Sequence, residues 1–180
     1  MASRTTLVPI VPKHAEAIQR LATTARSIVE QTRLPDPYPE DGAERWIQYA
    51  QPRHQRGEEY TFVVEHDCEV VGACGLIVSD DGHEAELGYW IGQPYWGRGY
   101  ATEAARTAVA FAFESAEVDR VVALPLSTNV PSRRVLEKAG LRLVGLRPAE
   151  SPWSDQEQAV YEAVRERPSV PMPPNCLAGP

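Results

Sequence analysis

Apolar and polar positions change rhythm along the chain, and each change predicts an element. Leu7 to Ile10 alternate as a short strand would, and then Ile18, Leu21, Ala22, Ala25 and Ile28 recur at helical spacing. That spacing predicts an amphipathic helix over about residues 13–31. The run Leu34-Pro35-Asp36-Pro37-Tyr38-Pro39 stops it, because proline lacks a backbone donor and fixes its own φ. Ala43, Trp46, Ile47 and Ala50 share one face of a second helix. Three strand candidates follow, Tyr60 to Glu65, Glu69 to Ser79 and Glu84 to Ile91. The turns between them, His66-Asp67-Cys68 and Asp80-Asp81-Gly82-His83, are short enough for hairpins. This middle section reads as an antiparallel meander, not as a run of strand–helix–strand units.

The rhythm shifts again at Gln93. A glycine-bearing loop to Tyr100 opens a helix that runs to about Ser115, with Ala101, Ala104, Ala105, Ala108 and Ala112 on one face. Side chains that small suit close packing on a sheet. Val121 to Leu124 predicts a strand, and Pro131 to Ala139 a short helix ended by Gly140. Leu141, Leu143 and the stretch Ala159 to Val164 mark two closing strands. Beyond Arg167 the segment Pro168 to Pro180 carries five prolines and little that could pack, which predicts a disordered tail. The expected organisation is one domain over 1–167 and a tail over 168–180, with no internal repeat.

Composition narrows the function classes. A chain of 180 residues with 43% hydrophobic and 24% charged positions suits one ordinary globular domain. A net charge of -7 argues against a protein that coats nucleic acid or an anionic membrane surface. Only Lys13 and Lys138 are lysines, so nearly all of the 18 basic residues are arginines. No run approaches the roughly 18–20 apolar residues that span a bilayer, and Met1 to Pro12 shows no secretory pattern. Cys68, Cys74 and Cys176 form no disulfide framework, which fits reduced thiols in a cytoplasmic protein. His14, His54, His66 and His83 are scattered, so no metal site is expected.

The chemistry concentrates in Gln93-Pro94-Tyr95-Trp96-Gly97-Arg98-Gly99-Tyr100-Ala101-Thr102-Glu103-Ala104, where a strand meets a two-glycine loop and a helix starts at once. Glycines let a ligand approach the backbone, and unpaired N–H groups at a helix start suit a phosphate. A tight strand–helix turn that binds nothing is the plain alternative. The loop is not a P-loop, since Tyr100 and Ala101 stand where a lysine and a hydroxyl are needed. Nor is it the dinucleotide fingerprint. Thr102 replaces the third glycine, Asp119 precedes its strand, and the strands before the loop are antiparallel.

Three ordered blocks carry a resemblance to a known family. They are Glu86-Leu87-Gly88-Tyr89-Trp90-Ile91, then Tyr95 to Ala104, then Asn129-Val130-Pro131-Ser132-Arg133-Arg134-Val135-Leu136-Glu137-Lys138-Ala139-Gly140-Leu141. Glu84 to Gly145 resembles the acyl-CoA-binding half of the GNAT N-acyltransferase superfamily, and within it the ribosomal-protein N-terminal acetyltransferases (Rim type). Trp96 departs from the Gln or Arg that many members carry, in the direction of that branch. The first 60 residues match only in layout.

The resemblance implies an α/β (α+β) fold: a mixed, mostly antiparallel sheet flanked by helices, with two central strands splayed around acyl-CoA. The backbone of Tyr89, Trp90 and Ile91 would then pair with pantetheine amides. The loop Gly97, Arg98, Gly99, Tyr100, Ala101 and Thr102 would hold the pyrophosphate through its N–H groups. Asn129 would contact the pantetheine arm or simply cap its helix. Ser132, by the same resemblance, would lie near the sulfur as proton donor or orienter. Glu86 would take the amine proton through water, against a plain solvated carboxylate. Arg133 or Arg134 would attract the 3′-phosphate end, in a basic window that also holds Lys138, Arg142 and Arg147. Tyr161 reads as core or as a wall of the sulfur channel. Trp46, Tyr49 and the Leu34 to Pro39 loop are candidates for the acceptor wall, with core packing favoured for Trp46. The acids Asp36, Glu40, Asp41, Glu44, Glu58 and Glu59 would suit a cationic acceptor. Acetyl-CoA and an amine are the implied partners, without metal, nucleic acid or membrane, and a homodimer is compatible with all of this. An acyl-CoA-binding sensor without turnover is the competing reading.

Overall fold

The meander expected from the alternation forms the first half of a seven-stranded sheet. The computed structural model describes residues 5–23, 34–35, 37–149 and 155–165. Strands β1 (Thr5–Pro9), β2 (Glu59–His66), β3 (Glu69–Val78) and β4 (Glu84–Ile91) pair antiparallel in that order. Turn chemistry sets this up. Asp67 and Cys68 both take positive φ, 51° and 65°, the turn type whose twist matches the strands it joins. Strand β4 then pairs in parallel with β5 (Arg120–Ala123), and β7 (Glu157–Val164) lies between β5 and β6 (Arg142–Pro148). The order β1-β2-β3-β4-β5-β7-β6 is the mixed, mostly antiparallel sheet that was expected.

Helices cover both faces. A 3-10 turn, Pro12–His14, leads into α1 (Ala15–Thr23), and α2 (Gly42–Gln55) follows the proline loop. Their Ile18, Leu21, Ala43 and Ile47 pack with Val63, Ala73 and Trp90 on one face. Across the sheet, α3 (Tyr100–Glu114) and α4 (Val130–Lys138) bury Ala104, Ala105, Ala108 and Leu136 with Val64, Leu76 and Leu87. The alanine face of α3 is the one read from the spacing, and it brings Phe111 edge-on to Tyr60 and Phe62 at 4.9 and 5.2 Å. The last part of the first expected helix and the proline-rich tail, with Cys176, lie outside the described residues.

The feature that positions the site is a divergence between β4 and β5. They pair only as Glu84↔Arg120, Ala85↔Val121 and Glu86↔Val122. Past Glu86, β4 stays with β3 to Ile91, while the chain leaving β5 stays with β7: Ala159 N–H donates to Pro125 O at 2.9 Å and Ser127 N–H to Glu157 O at 2.8 Å. Strand alternation then fixes what faces the gap. Ser79 N–H donates to Glu84 O and Gly92 N–H to Val71 O, so even-numbered positions of β4 turn their polar main chain toward β3. His83 O accepts from Asp119 and Arg120 N–H, so odd-numbered positions face β5. The main-chain groups of Leu87, Tyr89 and Ile91 therefore point into a slot where, among the described residues, no strand answers them.

Candidate active site

The divergence opens a cavity of about 1350 Å³ that runs from the glycine loop to the face beneath α2. Its first part is made of main chain. Gly97 and Gly99 have φ of 75° and 89°, and a Cβ on either would meet nothing within 4 Å. Trp96 Nε1 donates to Ile91 O at 2.6 Å and so ties the loop to the end of β4. Among the described residues, the N–H groups of Gly97, Arg98, Gly99, Tyr100 and Ala101 meet no main-chain carbonyl. Those donors stand at the positive end of α3, where an anion is stabilised. Open glycines and unpaired donors fit the diphosphate of a coenzyme A ester.

Three expected cofactor contacts sit differently from the expectation. Thr102 lines the cavity, but its N–H donates back to Gly99 O at 3.0 Å, as the first turn of a helix demands. Trp90 offers its ring to the cavity, whereas alternation commits its amide to β3. Arg98 keeps its N–H in the loop, but its side chain lies outside the lining, its guanidinium 5.9 Å from the centre of the Tyr95 ring. Tyr89 and Ile91 keep the expected orientation.

Both candidate catalytic residues line the cavity, Glu86 from β4 and Ser132 from α4. Tyr89 points toward α4, where its hydroxyl lies 2.8 Å from Ser132 Oγ and donates to Ser132 O at 3.1 Å. Burial pushes the Tyr89 hydroxyl above its usual range; the Ser132 bond opposes this, and the nearby Cys74 and Tyr161 add to it. Ser132 is positioned in turn by Asn129, whose Oδ1 accepts from Ser132 N–H at 3.0 Å as an N-cap. Capping and a place in the cavity thus coexist in Asn129. The side chain of Tyr89 was not read from the sequence as functional, although its parity opposite Glu86 could have placed it. Glu86 shares the α2 face with Gly88 and Trp90, half-buried.

The basic window disperses. Arg134 and Lys138 line the cavity. Arg133 turns inward, donating to Ser127 O at 3.1 Å and to the Tyr161 hydroxyl at 3.3 Å. Tyr161 itself is fully buried and donates to Glu137, which makes it core rather than channel wall. Cys74 lines the cavity, but burial pushes its thiol up to about 12.

On the far side, α2 turns Arg45, Trp46 and Tyr49 to the cavity while Ala43, Ile47 and Ala50 are buried. Trp46 also packs on the core, the role favoured for it. Of the five described acids among the six expected to draw a cationic acceptor, Glu59 lines the cavity, held by Arg53 Nε at 2.9 Å and by the Thr61 hydroxyl at 2.8 Å. Asp41 and Glu58 face Arg45 and Arg56, and Asp36 is outside the described residues. Among the described residues no cluster of His, Cys, Asp or Glu could hold a metal ion, and no helix is long and apolar enough to cross a membrane.

A slot between splayed strands, closed at one end by a main-chain anion cradle, defines an acyl-CoA-binding acyltransferase class. The chain belongs to the GNAT acetyltransferase family, whose domain model, "Acetyltransferase (GNAT) domain", matches residues 4–142. It is 32% identical over 145 residues to the probable N-acetyltransferase YjcK of Bacillus subtilis (strain 168), covering 77% of this chain and 80% of that one. With several other bacterial relatives the match spans about half of their length. Two solved structures share the fold. RimL, the ribosomal L7/L12 alpha-N-protein acetyltransferase in complex with coenzyme A, superposes with a TM-score of 0.83 at 17% identity, over 91% of this chain and 95% of that one. The microcin C7 self-immunity acetyltransferase MccE, in complex with acetyl-CoA and AMP, gives 0.82 at 19% identity, over 89% and 92%.

Proposed function

We propose that the protein transfers an acetyl group from acetyl-CoA to a primary amine by direct attack within a ternary complex. The observation that carries this reading is the slot beside β4, which has the glycine cradle at its end, Glu86 on one side and the Tyr89–Ser132 pair on the other. The unpaired main chain of Tyr89 suits the pantetheine amides, the cradle suits the pyrophosphate, and Arg134 suits the far phosphate. Acetyl-CoA complexes of a relative with the same fold favour this donor.

In this reading the amine nitrogen attacks the thioester carbonyl. A C–N bond forms, the C–S bond breaks, the ammonium proton leaves through water to Glu86, and the thiolate takes a proton from the Tyr89–Ser132 pair. Burial keeps the Tyr89 proton on its oxygen until the sulfur needs it. Cys74 is unsuited to an acyl-enzyme, because a thiol pushed up to about 12 holds almost no thiolate near neutrality. An α-amine titrates near 7.7–8.0 and a lysine near 10.4, so a water-relayed carboxylate is matched to a protein N-terminus or a small amine.

Thiol release from acetyl-CoA across a panel of amines tests the reading. The expected result is amine-dependent release above hydrolysis. Tight acetyl-CoA binding without release would sink it and leave a sensor module.

A further inference from the structure

Beneath α2 the sheet surface is unusually bare. Thr61, Gly75 and Gly88 lie side by side on β2, β3 and β4 and face α2 together. A Cβ at Gly88 would meet nothing within 4 Å, and one at Gly75 nothing closer than the Tyr60 carbonyl at 3.4 Å. Next to this row runs another, Glu59, Ile77 and Glu86, which bounds the bare strip on one side. The result is a flat shelf of peptide groups at the acceptor end of the cavity.

Two aromatic rings belong to the opposite wall. Tyr38 and Trp46 both line this part of the cavity, and Tyr38 is held by the start of α2. A Cβ on Gly42 would lie 2.8 Å from Tyr38 Cε1, so the glycine is what lets the ring settle there. Charge is sparse by comparison. Among the described residues two carboxylates line the cavity, Glu59 and Glu86, and Glu59 is bonded by Arg53 and Thr61. Arg45 adds a cation at the same wall.

We infer that the acceptor is a primary amine whose nitrogen lies one or two carbons from a planar aromatic group, the group seated between the Gly75–Gly88 shelf and the rings of Tyr38 and Trp46. The inference rests on the acetyl-transfer reading and names its acceptor class. Flat peptide surface and π faces both favour a planar body, and Glu86 lies at the edge of the shelf to meet the amine. Such a group occurs in free arylalkylamines and in a peptide that begins with phenylalanine.

The test compares kcat/KM for thiol release with four acceptors: phenylethylamine, a peptide beginning with phenylalanine, the same peptide beginning with serine, and spermidine. The aromatic acceptors are expected to exceed the other two by at least about tenfold, chiefly through KM. Which of the first two leads distinguishes the free amine from the peptide. Trp46→Ala, from the roof, and Gly75→Val, from the floor, should each abolish the preference while the KM for acetyl-CoA stays within about twofold. Either variant alone suffices if the other fails to fold. Preference for spermidine or the serine peptide would overturn the inference and leave acetyl transfer intact, as would variants that slow all four acceptors equally. Acetyl-CoA binding with no thiol release for any amine would overturn both.

Discussion

The two ends of the cavity are built from different parts of the chain. The donor end is main chain: glycines with positive φ, unpaired N–H groups of a helix start, and the unanswered edge of β4. The end we assign to the acceptor is side chains, Trp46 and Tyr38 above and Glu86 below, brought together from three separate segments. A main-chain site tolerates many side chains but not an added Cβ where the ligand lies. A side-chain site has the opposite tolerance, which lets one family keep its donor while its acceptors diverge.

The largest effect should come from Gly99→Asp, which fills the cradle and sets a negative charge against a pyrophosphate. Acetyl-CoA affinity in calorimetry should fall by more than about 100-fold, while the left-handed backbone at φ 89° costs the fold about 1–2 kcal/mol with no clash, since nothing in the protein occupies that space. Unchanged affinity would break the donor assignment. Next, Tyr89→Phe and Ser132→Ala should each lower kcat by about 10- to 100-fold, leave acetyl-CoA affinity nearly unchanged, and be less than additive together. Since burial raises the Tyr89 hydroxyl above its reference of 10.0, kcat in the wild type should show no alkaline fall below that pH. A fall between neutrality and 10 would remove Tyr89 as the donor.

A third substitution sharpens the contrast among glycines. Gly72→Ala would bring a Cβ within 2.2 Å of the Trp90 carbonyl, so it should act on stability rather than binding. Denaturant unfolding should show a loss of about 1–3 kcal/mol, with acetyl-CoA affinity preserved in the folded fraction. The smallest effect concerns His14, far from either end. Its buried ring accepts from Val11 N–H at 3.1 Å and lies 3.5 Å from Glu65. Burial first, and Lys13 second, hold its pKa below the reference of 6.5, against a smaller upward pull from Glu65. The neutral form's stabilisation is therefore complete above that reference and is lost as pH falls through the lower folded value. Melting temperature should drop on acidification below about pH 6.5, less so in His14→Gln. An identical acid profile in the variant would assign the loss to other groups.

Local pattern was enough for the elements themselves. Each strand expected in the meander, the alanine face of α3 and the stop at Gly140, with its φ of 97°, follows from spacing and turn chemistry that neighbours in sequence enforce. The proposed donor site could be read for the same reason: strand, glycine loop and helix start are contiguous, and glycines mark a backbone open to close approach. Charge reasoning served less well. The acidic N-terminal half pairs with its own arginines, Arg53 with Glu59 and Arg56 with Glu58, because residues close in sequence find one another across a helix–strand turn.

What the sequence determined alone is thus the set of elements, the glycine loop at the helix start and the family to which the chain belongs. Tertiary structure decided which groups meet across distance. It joined Tyr89 to Ser132 from 43 residues away, turned Arg133 inward and Arg134 to the cavity, and laid Gly75 beside Gly88 beneath Trp46. The physical reason is that strand parity and register choose the face each side chain occupies, and register belongs to the pairing of segments rather than to any one of them.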